Sequence, residues 1–184
     1  MNDIFSRGEN NVGGCRFMSR NSACRIDAGD RACRAWHRTA MTDADLQIRL
    51  ACRAILDDYA VAVDAGDTAA MTRLFTSDGV LKRGDTLLSG AAEIPRIVEG
   101  RPSGTVMRHL LTTVSITPGP DGRQATGHAY YLLYNARGEG LPLPFDPPFS
   151  LGDWISRFVL TDKAWKLASH EVRRVFVRPQ PAAG

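Results

Sequence analysis

Nowhere does the sequence reach the roughly twenty consecutive apolar residues that a membrane-crossing helix requires, so no membrane partner is expected. Its first residues, MNDIFSRGENN, do not set a basic stretch before an apolar one as a secretory signal does, and the expected compartment is the cytoplasm. Cysteine is sparse. The four present, Cys15, Cys24, Cys33 and Cys52, lie too far apart for the paired spacing of a zinc site, and free thiols are the default. Charge of one sign is also lacking: 23 Lys and Arg face 20 Asp and Glu, for a formal net charge of +3. No dense basic block with interleaved aromatics occurs in the body of the chain, so nucleic acid is not an expected partner.

What is present suits one buried core. With 184 residues and 43% hydrophobic side chains, the chain is long enough for a single well-packed domain and short for two. Residues 1–40 scatter seven arginines among Gly, Ser and Asn without a clear apolar period, which reads as a disordered extension. Met41 stands at its boundary as an alternative start, and an Arg-rich targeting or contact arm is the other reading. From "MTDADLQIRLACRAILDDYAVAVDAGD" onward the pattern is ordered. Thr42 and Asp45 have the spacing of a capping box, and Ile48, Cys52, Ile55, Tyr59 and Val63 recur at helical intervals. Gly66 ends that helix and Asp67 caps the next, which carries Ala70, Met71, Leu74 and Phe75 towards a core. Residues 89–99 read as a third helix, with Pro95 confined to its first turn.

Strands take over after Thr105: 105–117, 123–135, 151–161 and 164–177, joined by turns such as "PGPDG" and "TDKA". Helices followed by long antiparallel strands predict an α+β fold, the domain running over 41–178 with a flexible tail at 179–184. The Pro- and Gly-rich stretch 136–150 is long enough to serve as a lid or an interface.

Alternation in "VMRHLLTTVSI" sets His109, Leu111 and Thr113 on one face, with Leu110, Val114 and Ile116 on the other. His109 is the titratable group of its face, and an imidazole exchanges protons near neutral pH. A carboxylate would orient it, and Asp64 at the end of the first helix is the candidate. Tyr59 lies about 140° around that helix from Asp64, so the two share a cavity only if it wraps the helix end. Each also has a plain structural reading: Tyr59 as a core aromatic, Asp64 as solvated, His109 as a rim residue. In "AWKLASHEVRRVFV", His170, Val172, Arg174 and Phe176 share a face, where Arg174 is a surface cation or an anion clamp. His128 falls on the face opposite Tyr131, Leu133 and Asn135, and His37 lies in the extension; neither joins the site.

The segments "YAVAVDAGDTAAMTRLFTSDGVL", "SGAAEI", "MRHLLTTVSI", "ATGHAYYLLY" and "DWISRFVLTDKAWKLASHEVRRVF", in that order, resemble the SnoaL-like branch of the nuclear transport factor two-like superfamily over about residues 43–177. The resemblance implies a cone, a curved antiparallel sheet wrapped around N-terminal helices and enclosing an apolar pocket, assembled as a homodimer or homotrimer. Scytalone dehydratase, bile-acid 7α-dehydratase and hexachlorocyclohexane dehydrochlorinase in this superfamily pair a strand histidine with a helix aspartate, which match His109 and Asp64. Tyr59 and Arg174 match a tyrosine and a late arginine of the bile-acid enzyme. The resemblance implies no metal and no organic cofactor.

Departures from the pattern redirect the expected ligand. The second strand carboxylate or histidine of the dehydratases falls near Ala129 or Leu133, and polar positions of the next strand become Trp154 and Ser156. A small hydrophobic, aromatic or polycyclic molecule is therefore expected, stacked on Trp154 and Tyr131 and bordered by Leu133, Asn135 and Phe75. The activity implied is proton transfer leading to elimination, isomerisation or cyclisation. The alternative is a non-catalytic ligand-binding or partner module, such as the small subunits of ring-hydroxylating dioxygenases. A hydrogen bond of about 2.6–3.2 Å between His109 and Asp64 inside a closed pocket separates the two.

Overall fold

The computed structural model describes residues 41–144 and 148–179; the expected disordered extension, and nearly all of the expected tail, lie outside these. Helix α1 (Asp43–Ala65) begins as its capping box requires: Asp45 N–H donates to Thr42 Oγ1 at 3.0 Å, while Thr42 N–H donates to Asp45 Oδ2 at 3.2 Å. Gly66 closes the helix in the left-handed conformation, φ 70°, which costs glycine nothing. Asp67 then caps the short α2 (Thr68–Leu74) through Ala70 N–H.

Six strands follow: β1 (Phe75–Arg83), β2 (Thr86–Ser89), β3 (Thr105–Pro118), β4 (Gln124–Arg137), β5 (Ser150–Leu160) and β6 (Trp165–Val177). They form one open sheet in the order β2-β1-β6-β5-β4-β3. Neighbours are antiparallel except β1 and β6, whose parallel pairing joins the first hairpin to the β3–β6 meander. The sheet curves around α1, which packs on β3, β4 and β6. The apolar stripe of the helix, Cys52, Ile55, Leu56, Tyr59 and Val63, is buried as its spacing demands. Opposite it, the inner face carries Ala129, Tyr131, Trp154, Phe158, Leu167 and His170, all buried.

Residues 89–99 do not form the expected α-helix. Turns lead into a 3-10 helix at Ile94–Val98, with Pro95 in its first turn and Ile94 and Ile97 buried. The missing amide of Pro95 is tolerated there and not further along, which shortens the element.

Bulges overturn two of the expected strand faces. In β3, Thr112 pairs with Tyr130 but Ser115 with His128, so Thr113 and Val114 together oppose one residue of β4. Thr113 takes φ 46°, a left-handed conformation strained for a β-branched side chain. Before it the odd residues face inward; after it Val114 and Ile116 do, and Ile116 is buried in the same core against which Leu111 packs. In β6, Gly152 of β5 pairs with Arg174 but Leu151 with Phe176, so Val175 is the extra residue. Phe176 is thereby turned to the outer face, 66% exposed, away from His170 and Arg174.

Candidate active site

The last turn of α1 and the first half of β3 bring Asp64 and His109 together. Asp64 Oδ1 lies 2.7 Å from His109 Nδ1, and Asp64 Oδ2 accepts the His109 backbone N–H at 2.9 Å. Both side chains are nearly closed off from solvent, 11% and 8% exposed. An ionised carboxylate can only accept, so the proton of the neutral imidazole sits on Nδ1 and Nε2 is left with a lone pair. The geometry prepares a base.

A carboxylate at the negative end of a helix is poorly placed by itself. Arg101 offsets this: its guanidinium donates to the carbonyls of Asp64 (3.1 Å) and Val63 (2.7 Å), capping the helix end with positive charge. Neither Arg101 nor Arg83, which also faces the site, stood out in the sequence. Both lie beside turns, at "VEGRPSG" and "KRGD", and only the tertiary placement of those turns gives them a role.

His109 lines a cavity of about 590 Å³ between the sheet and the end of α1. Tyr59, Trp154, Tyr131, Leu133, Asn135 and Arg174 line it as well, so six of the expected site residues join His109 there. Tyr59 lines the cavity whereas Asp64 does not, and Asp64 reaches it only through its hydrogen bond to His109. Phe75 does not line the cavity. It is buried behind Tyr59 with ring centroids 5.7 Å apart, because it opens β1 on the core side. Phe149, where the 138–149 loop rejoins the sheet, lines the cavity mouth; Phe145 of that loop lies outside the described residues.

The base of the cavity is aromatic. Trp154 stands 5.4 Å from the His109 ring, 5.5 Å from Tyr59 and 5.9 Å from Tyr131. Burial holds the Tyr59 hydroxyl in its protonated form well past the ordinary tyrosine range, against the opposing pull of Arg83. Tyr59 is therefore a hydrogen-bond donor at all ordinary pH.

His170, on the same strand face as Arg174 but given no role from the sequence, is buried. His170 is packed between Tyr59 and Trp154, ring centroids 4.8 and 4.9 Å away, with Nδ1 2.9 Å from Ser156 Oγ. Its Nε2 and the Trp154 Nε1 are buried without a hydrogen-bond partner among the described residues. Burial first, and the neighbouring His109 second, push its imidazole down to about 3, so His170 is neutral around pH 7. The excluded His128 is indeed on the outer face, 2.9 Å from Asp153.

The SnoaL-like domain model matches residues 44–171, most of the chain and all the elements described above except the end of β6. The chain belongs to the SnoaL-like domain family. Among solved structures, this SnoaL-like chain is similar to a candidate scytalone dehydratase from Novosphingobium aromaticivorans, with 19% identity over 78% of this chain and 94% of that one, TM-score 0.65. It is similar also to the hexachlorocyclohexane dehydrochlorinase LinA-type3 from Novosphingobium barchaimii, with 16% identity over 76% and 94%, TM-score 0.63. A nuclear transport factor two-like protein with a cystatin-like fold from Novosphingobium aromaticivorans shares 19% identity over 71% and 83%, TM-score 0.59. At these identities the likeness is one of fold. Among curated proteins, none matches the sequence significantly. Among the described residues, no helix is long and apolar enough to cross a membrane, and no three His, Cys, Asp or Glu are grouped to hold a metal ion.

Proposed function

We propose that this SnoaL-like chain is a cofactor-independent proton-transfer enzyme of the cytoplasm, of the lyase or dehydratase, or isomerase or cyclase, type. It acts on a small hydrophobic molecule with a flat ring system. The observation that carries this reading is the 2.7 Å contact of Asp64 with His109 Nδ1 at the wall of a cavity. His109 Nε2 takes an acidic C–H proton, Asp64 holds the imidazolium that forms, Tyr59 donates to the carbonyl or leaving oxygen, and Arg174 steadies negative charge. A capture module needs none of these contacts. Similarity to a dehydrochlorinase of the same fold supports the same class of chemistry.

Assembly as a homodimer or homotrimer is part of the proposal. On the outer face, strand register lines up Leu110, Leu132, Leu151 and Phe176 as one apolar row across four strands. Leu110 and Phe176 are exposed, and a contiguous exposed apolar row of this kind suits a partner surface.

The test uses hydrogen exchange. A panel of aryl and polycyclic ketones in deuterium oxide is followed by NMR with wild-type protein and with His109→Gln. Exchange at the carbon next to the carbonyl, accelerated by wild type and lost in the variant, is the expected result. Equal exchange in both, or none in either, would sink the catalytic reading.

A further inference from the structure

The cavity is lined by a second arginine, Arg83, beyond the Arg174 that the proton transfer uses. On the inner face β6 turns His170, Val172 and Arg174 inward, and its parallel partner β1 turns Leu81 and Arg83 inward, with Leu81 opposite His170 and Arg83 opposite Val172. Arg83 and Arg174 are thus diagonal neighbours across the two strands, and both line the cavity. Arg174 lies opposite Gly152 of β5, which in turn lies opposite Tyr131 of β4. With Gly152 between them, β5 places no side chain between Tyr131 and Arg174 in this row of the sheet.

The ion pairs among the described residues engage Arg53, Lys82, Arg96, Arg173, His109 and His128. Arg83 and Arg174 are in none of them. Asp85 and Glu99 also reach the cavity rim, without pairing with either arginine, and Glu99 stands 3.5 Å from Arg96. Partial burial first, and then the positive charges of Arg174 and Arg101, disfavour the charge on Arg83, against the opposing pull of Tyr59 and Tyr131. Unpaired guanidiniums gathered at one opening are a standing repulsion that a bound anion relieves, and their planar forks suit a carboxylate.

We propose that Arg83 and Arg174 form an anion-binding mouth, and that the substrate class is an amphipathic carboxylic acid. Its carboxylate sits between the two guanidiniums, its flat apolar body lies over Gly152 against Tyr131 and Trp154, and its reacting carbon reaches His109. This rests on the reading of the cavity as a substrate site and narrows it. Arg174 then meets a charge that the substrate already carries.

The experiment is calorimetric titration with 2-naphthoate and with its neutral counterpart 2-naphthylmethanol, at low salt and pH 8. Wild type is expected to bind the acid about tenfold or more tightly than the alcohol, the surplus of charge-assisted over neutral hydrogen bonds. The double variant Arg83→Gln/Arg174→Gln, its fold checked by circular dichroism, should lose that preference and bind the alcohol as before. The single variants should fall between, and His109→Gln should keep the preference. A wild type that binds acid and alcohol alike, or fails to bind the acid, overturns the proposal, as does a double variant that still prefers the acid. An acid preference in a protein that catalyses no exchange would leave the anion mouth standing and remove only the catalytic reading.

Discussion

Asp64 grips His109 twice, one carboxylate oxygen on the imidazole Nδ1 at 2.7 Å and the other on the backbone N–H of the same residue at 2.9 Å. The second bond ties the carboxylate to strand β3 itself, so rotation of the Asp64 side chain would have to break both bonds at once. Asp64→Asn keeps the shape but presents an amide N–H to one of two donors. Turnover on a substrate found by the exchange screen is expected to fall about 10²- to 10⁴-fold, with KM changed little. A fall in kcat/KM carried by KM alone would assign Asp64 to binding.

His170 predicts how stability depends on acidity. Its folded-state value is depressed to about 3 by burial and by His109, against about 6.5 in an unfolded chain. Above about pH 6.5 both states are neutral and the residue contributes no slope. As the pH falls from there towards 3 the unfolded chain takes up a proton that the folded protein refuses, which costs about 1.4 kcal/mol for each pH unit. Melting curves at pH 7.5, 5.5 and 4.5 should show a steeper acid loss for wild type than for His170→Gln. Asp45 and Glu171, both held below the usual carboxylate range by their hydrogen-bond partners, act alike in the two proteins and cancel. Parallel curves would contradict the assignment.

Gly152 offers a test by a single methyl group. A Cβ there would overlap the carbonyl oxygen of Arg173 on the neighbouring strand. Gly152→Ala is expected to destabilise the domain by about 1–3 kcal/mol, read as a drop of several degrees in Tm. An unchanged Tm would mean that β5 and β6 can separate locally at no cost.

The apolar row on the outer face bears on assembly. Phe176→Glu and Leu132→Glu place charge on that face and leave the cavity untouched. Light scattering after size exclusion should show two or three copies for wild type and one for the variants, with unchanged circular dichroism. A wild-type monomer would remove the assembly from the proposal.

The caps and apolar spacing of the first two helices are legible in the sequence, whereas the helix expected over 89–99 is not formed because Pro95 restricts it to a single 3-10 element. Thr42 with Asp45, Gly66 with Asp67, and the spacing from Cys52 to Val63 predict both helices because caps and helical faces depend on residues three or four apart. The strand faces held up to each bulge and failed beyond it. Nothing in "LTTVSI" announces Thr113 as the residue to be left-handed, and its branched side chain argues against it. The pairing of His109 with Asp64 came from candidate chemistry and family resemblance, and the structure brings the two into contact. Phe75 was misplaced because an aromatic at a helix-to-strand junction looks the same in sequence whether it faces a cavity or the layer behind it. Arg83, Arg101 and His170 depend on which strands pair, and a parallel β1–β6 contact between residues some 90 positions apart leaves no local trace.

The bulge at Thr113 also governs how the molecule meets others. β3 is an edge strand of the open sheet, and a long regular edge is a template on which further strands add without limit. The break in pairing between Thr112 and Ser115 interrupts that template midway, and Pro118 removes a donor at its far end. The irregularity that lets one strand serve the cavity with His109 and the core with Ile116 thus also guards the exposed border of the sheet against aggregation.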